Sequence, residues 1–119
     1  MLSRDQGSPF RDAWTGMGSL MPVEGALIIA DEQDAGFVVL HLGWGMGDGM
    51  ELYKLYIAPS FRGRGIGRQV VDMVAEWARD NRRTSIMLEA DPRSWGFWTA
   101  YFHDVSGVEL AGLNFVWTL

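Results

Sequence analysis

The 119-residue chain has no cysteine, so disulfides, thiolate metal sites and a cysteine nucleophile are excluded together. Its two histidines, His41 and His103, stand far apart. Isolated histidines are more often structural or surface groups than metal ligands, and no metal is expected. No apolar run approaches the roughly 20 residues of a membrane-spanning helix, so no membrane partner is expected. No basic-then-apolar leader opens the chain, and the expected location is the cytoplasm. A Gly-Lys-Ser/Thr triplet is missing too, which excludes a nucleotide P-loop. There are no internal repeats. Net positive charge is absent: a formal charge of −5 argues against a general nucleic-acid binder.

What is present points to a globular protein. Almost half of the residues are apolar, and six Trp and six Phe supply large surfaces for burial. The length suits one domain, residues 1–119, with a real core and no room for a second. Basic side chains concentrate at Arg62, Arg64 and Arg68, with Arg79, Arg82 and Arg83 at the far end of the next helix. A mildly acidic body with one basic cluster suits an anionic cofactor on one side and a cationic acceptor on the other.

Residues 1–20 show no sustained period and read as a short helix, an arm or a partly disordered segment. Residues 26–30 read as a strand, 31–36 as a turn and 37–42 as the hairpin partner. Four glycines in residues 43–49 make a flexible loop, on which Trp44 either covers the core or touches a substrate. A further strand covers residues 50–57 and ends before Pro59, which has no N–H for a ladder. From Ile66 the period becomes helical, with Val70, Val71, Val74, Trp77 and Ala78 on the same face. Residues 84–90 form the next strand, and the strand–helix–strand order implies parallel pairing through a right-handed crossover. Asp91-Pro92 reads as the N-cap and first turn of a helix through Trp95, Trp98, Tyr101 and Phe102. Strands at 108–111 and 113–119 close the sheet.

The chemistry concentrates between that strand and the first helix. Gly63, Gly65 and Gly67 alternate with Arg62, Arg64, Ile66 and Arg68. Glycines permit φ > 0 and bring no Cβ, so successive amides can face one concavity. The helix that follows adds free N–H groups and the positive end of its dipole, and arginines can clasp phosphate oxygens. Solvated arginines on a glycine-rich turn are the plain alternative. The dinucleotide fingerprint fails, because Arg68 stands where its third glycine belongs.

Arg62-Gly63-Arg64-Gly65-Ile66-Gly67, after a strand ending Ile-Ala-Pro and before a helix, resembles the Arg/Gln-x-x-Gly-x-Gly signature of the GCN5-related N-acetyltransferase (GNAT) superfamily. The resemblance is strong from residue 50 to 90, fair beyond, and faint in residues 1–25. It implies an α/β (α+β) fold: a mixed central sheet with antiparallel N-terminal strands and a β-α-β-α-β-β C-terminal half. Family members usually carry two helices between their first two strands, and here those helices must be trimmed or replaced. That leaves an open acceptor side, suited to a macromolecular amine or to completion by a second copy in a homodimer.

By the same resemblance the cofactor is acetyl-CoA. Leu55, Tyr56 and Ile57 would hold the pantetheine arm on a strand splayed from its parallel neighbour. A backbone amide there would also polarise the thioester carbonyl, an effect worth ~3–4 kcal/mol. The amides of Gly63, Arg64, Gly65, Ile66, Gly67 and Arg68, with the Arg62 and Arg64 side chains, would bind the pyrophosphate, and Gln69 would add a contact. Glu51, six residues before Ile57, matches the glutamate base of the family's histone acetyltransferases; an exposed strand-end carboxylate is the alternative. The family pattern Asn-x-x-Ala-x-x-x-Tyr maps onto Ser94-x-x-Phe97-x-x-x-Tyr101, which keeps only the Tyr. Tyr101 is then the general acid or a packing aromatic, with His103 a substitute acid if the register slips. Ser94 binds the pantetheine or caps the helix.

Two functions follow. The first is an N-acetyltransferase moving acetyl from acetyl-CoA to a primary amine, a protein lysine or N-terminus among the candidates, by direct attack in a ternary complex. The second is a non-catalytic protein-binding or inhibitor module of the same fold, presenting Trp14, Trp44, Trp95 and Trp98.

Overall fold

The computed structural model describes the main chain of residues 10–15 and the whole of residues 23–43 and 48–119. In chain order these form β1 (Phe10–Thr15), β2 (Val23–Ala30), β3 (Gln33–Leu42), β4 (Gly49–Ile57), a 3-10 turn (Pro59–Phe61), α1 (Ile66–Asp80), β5 (Ser85–Glu89), α2 (Trp95–Phe102), β6 (Val108–Ala111) and β7 (Asn114–Thr118). The strands make one sheet, ordered β1-β2-β3-β4-β5-β7-β6. Every pairing is antiparallel except β4 with β5, which the crossover through α1 makes parallel.

The helices lie against one face of the sheet. Ile66, Val70, Val71, Val74, Ala75, Trp77 and Ala78 form the buried stripe of α1. They share a core with Val38, Leu40, Met50, Leu52, Ile86 and Leu88. Strand alternation then sends Val39, His41, Glu51 and Met87 to the opposite face. On α2, Phe102 packs on Phe115 and Trp117 of β7 at centroid distances of 5.1 and 5.5 Å. Among the described residues, no helix is long and apolar enough to cross a membrane.

Three elements differ from the expectations. Residues 10–15, read as aperiodic, form an edge strand against β2. A bulge between Asp12 and Trp14 breaks the two-residue alternation that would have marked it. The turn expected over residues 31–36 is only Asp31 and Glu32, both left-handed (φ 51° and 63°), and β3 starts at Gln33. Two residues with φ > 0 match the twist of a two-residue hairpin. Asp91 does not cap α2: its Oδ1 accepts from Arg93 N (2.8 Å) and Ser94 N (3.0 Å) in a turn of its own. Ser94 is the N-cap residue, though its side chain makes no capping bond.

Candidate functional site

β4 and β5 are paired over only three positions, Gly49↔Ser85, Met50↔Ile86 and Glu51↔Met87, and then diverge. The register of β4 on β3 shows why. Leu40 faces Leu52 but Val39 faces Lys54, so Tyr53 is an extra residue, a bulge that turns β4 away. From Leu52 to Ile57 the strand keeps its β3 partner and bares its other edge. Beside that edge is a cleft of about 1000 Å³, lined by β4 from Leu52, by the glycine turn, and by α2 through Phe97, Trp98 and Tyr101. On the other edge of β4, Gly36 of β3 lets the two backbones approach closely: a Cβ there would lie 1.8 Å from the Tyr56 carbonyl oxygen.

The glycine turn opens into the same cleft. Gly63 and Gly65 have φ of 75° and 78°, and a Cβ on either would meet nothing within 4 Å. Gly65 is the N-cap of α1, with no capping side chain and no acidic residue in the first turn. Among the described residues, no main-chain N–H of residues 63–68 donates to a main-chain acceptor. Amides in this arrangement at the positive end of a helix dipole can receive an anion.

The arginines are held around it. Arg62 Nε donates to the Ile57 carbonyl (2.8 Å), and its guanidinium lies over Tyr56. Arg64 pairs with Asp31 on the β2–β3 turn at 2.8 Å. With the two side chains 46% and 64% exposed, that pair contributes little to stability and leaves Arg64 free to shift towards an anion. Arg68 lies over the Tyr101 ring, 5.2 Å from its centroid. Gln69 is exposed on α1 and lies outside the cleft lining.

The two candidate catalytic residues fare differently. Glu51 sits where β4 and β5 part, on the face away from the helices, and its Oε1 accepts from His41 Nδ1 at 2.9 Å. Sequence reading had set His41 aside as a lone histidine. The partnership comes from the β3–β4 register, His41↔Glu51, which no local pattern announces. Tyr101 lines the cleft with its ring, but its hydroxyl donates to Asp72 Oδ1 of α1 at 2.6 Å. Burial, and then the carboxylate of Asp72, push its pKa well above the ordinary tyrosine value, only partly opposed by Arg68 and Arg79. His103 is solvent-exposed beyond α2 and does not reach the cleft. Ser94 lines the cleft and its Oγ donates to the Asp91 carbonyl. Trp44 and the side chain of Trp14 lie outside the described residues. Trp98 is buried, whereas Trp95 is partly exposed and packs on Phe115.

A model of the acetyltransferase (GNAT) family matches residues 4–103. The chain is a GNAT acetyltransferase family member. A search of curated proteins gives no match. Among solved structures, the chain resembles PaiA N-acetyltransferase from Thermoplasma acidophilum in complex with coenzyme A: 20% identity, 79% of this chain, 58% of that one, TM-score 0.59. It thus spans little more than half the length of that protein. Tetrahymena GCN5 is 11% identical over 81% of this chain and 68% of its own, with a TM-score of 0.63. A GNAT family acetyltransferase from Elizabethkingia anophelis with acetyl-CoA bound is 17% identical over 79% and 72%, with a TM-score of 0.59. The fold is the GNAT fold.

The residues present fit a coenzyme A group. A bare strand edge, an open cleft and a turn whose amides have no main-chain acceptor among the described residues follow one another along it. In the alignment that the motif resemblance implies, Phe97 stands at the family's Ala position. The Phe97 ring comes within 3.1 Å of where a Gly67 Cβ would stand, so the absence of that Cβ makes room for it.

Proposed function

We propose that this GNAT family member is an acetyl-CoA-dependent N-acetyltransferase acting on a primary amine in a ternary complex. The observation that carries the reading is the divergence of β4 from β5 onto the bare cradle of residues 63–68. Acetyl-CoA supplies the activated acetyl thioester. Leu55, Tyr56 and Ile57 hold its pantetheine arm through their free backbone edge. The amides of residues 63–68 hold the pyrophosphate, with Arg62 and Arg64 beside it, Gln69 at the margin and Ser94 along the arm. Both phosphate-facing arginines have weak local partners to exchange for a phosphate.

Glu51 is the base. Its half-buried carboxylate, at the last position where β4 pairs with β5 and just outside the residues that line the cleft, takes a proton from the acceptor's ammonium group and leaves a nucleophilic amine. The short bond of Tyr101 to Asp72 supports a structural part for that phenol rather than the acid role expected of it. The departing thiolate is then protonated by water in the open cleft. The burial of Trp98 takes support from the binding-module reading, which needs that ring at the surface.

Mass spectrometry tests the proposal. The chain with acetyl-CoA should add 42 Da (the mass of one acetyl group) to at least one amine among an oligolysine peptide, a polyamine and a panel of protein N-termini. Glu51→Gln should retain acetyl-CoA binding and lose the transfer. Tight acetyl-CoA binding without transfer to any amine would favour the non-catalytic module.

A further inference from the structure

We infer that His41 is a positioning residue for Glu51, so that the proposed base is a His–Glu pair built across two strands rather than a lone carboxylate. The inference rests on the assignment of Glu51 as base. His41 and Glu51 are directly opposite on β3 and β4, with side chains on the same face. The Nδ1–Oε1 distance is 2.9 Å, and the two side chains are 22% and 18% exposed. A carboxylate accepts only, so Nδ1 carries the hydrogen when His41 is neutral, and Nε2 is left as the unprotonated nitrogen. The ring is held from a second direction too: it stacks on Tyr53, with centroids 4.3 Å apart and planes 19° apart. Tyr53 is the bulge residue that parts β4 from β5, so one irregularity both opens the cleft and clamps the histidine.

Geometry fixes the order of the two groups. Glu51 is on β4, at the last position paired with β5, while His41 is one strand farther from the cleft. An amine that reaches the point where β4 and β5 part is therefore one strand nearer to the carboxylate than to the imidazole. With Oε1 engaged by His41, Oε2 takes the proton. The ammonium N–H bond breaks, its electron pair stays on nitrogen, and the carboxyl group later returns the proton to water. Throughout, the Nδ1–H bond keeps the carboxylate from turning away, an arrangement that lowers the barrier by prior orientation. Of the titratable groups near this pair, Tyr53 stacks on His41, and Lys54 lies over the Tyr53 ring. Val23 of β2 and Met87 of β5, its nearest strand neighbours, carry no charge.

Three variants and one spectroscopic measurement test the inference. His41→Ala should lower kcat roughly ten- to hundredfold, the range of a lost orienting contact, with KM for acetyl-CoA unchanged. His41→Asn, which restores an N–H donor towards Glu51 but cannot titrate, should recover most of that loss. In long-range 1H–15N NMR spectra, His41 should show the Nδ1–H tautomer, and Glu51→Gln should redistribute it. Wild-type kcat in His41→Ala, or an Nε2–H tautomer indifferent to Glu51→Gln, would overturn the inference. Should His41→Ala fail to fold, His41→Asn and the tautomer decide. Wild-type protein that transfers acetyl to no amine sinks the enzymatic reading itself, a result distinct from an active His41→Ala variant.

Discussion

Gly65 is where stability and ligand binding can be separated in one residue. Its φ of 78° lies in the left-handed region, and a Cβ there would meet no protein atom within 4 Å. In Gly65→Ala the only cost to the fold is the backbone strain of a left-handed alanine, ~1 kcal/mol. For a chain of this size that lowers Tm by about 3–6 °C. The methyl group would point into the cradle, where a phosphate needs to approach the amides. Displacing the anion from one such amide forfeits ~1.5–3 kcal/mol, a loss of about ten- to 150-fold in affinity. Gly65→Glu adds a negative charge at the same spot and should abolish binding. Titration calorimetry with acetyl-CoA, beside thermal melts by circular dichroism, reads both quantities on the same samples. A Gly65→Ala protein with lowered Tm but wild-type affinity would refute the cradle, because the glycine would then serve only the turn.

Other substitutions test other parts of the structure. Gly36→Ala drives a Cβ against the Tyr56 carbonyl at 1.8 Å, so β4 must move; urea unfolding should show a loss of at least ~2 kcal/mol, and an unchanged midpoint would contradict the packing. Asp31→Asn removes the partner of Arg64, and calorimetry should find acetyl-CoA bound about two- to fivefold more tightly at low salt, with the gain fading as salt rises; weaker binding would mean that Asp31 holds Arg64 in place for the ligand. Tyr101→Phe should cost ~1 kcal/mol of stability at neutral pH, with acetyl transfer kept within about threefold. Because the folded state holds the Tyr101 proton more tightly than the ordinary value of 10.0, its contribution is complete below that pH and declines above it. Wild type should therefore lose stability above pH 10 by up to about 1.4 kcal/mol per pH unit more than Tyr101→Phe, measured by urea unfolding at pH 9 and 11.

Local signals made some of the structure readable. The α1 stripe was legible because burial there follows a 3.6-residue period with no interruption, and all of the residues assigned to that face are buried. The turn before α1 was legible because glycines at positions 63 and 65 supply the left-handed φ that it needs. β1 was not, since its bulge removes the alternation a reader looks for. Neither was the fine structure of the site. The bulge at Tyr53 depends on how β3 and β4 align, and the His41–Glu51 pair exists only in that alignment. The bond from Tyr101 to Asp72 joins two helices through residues 29 apart in sequence, a tertiary fact with no local trace. Periodicity thus reports which face a residue takes, whereas its partner is decided by register.

Hydrogen exchange, residue by residue, in the presence and absence of coenzyme A is the most direct test of how the cleft and cradle work together. Binding should slow exchange at the cleft-facing amides of Leu55, Tyr56 and Ile57 and at Gly63, Arg64, Gly65, Ile66, Gly67 and Arg68, and leave the β6–β7 hairpin unchanged. Unaltered exchange along both segments at saturating coenzyme A, or protection confined to another part of the chain, would contradict the account.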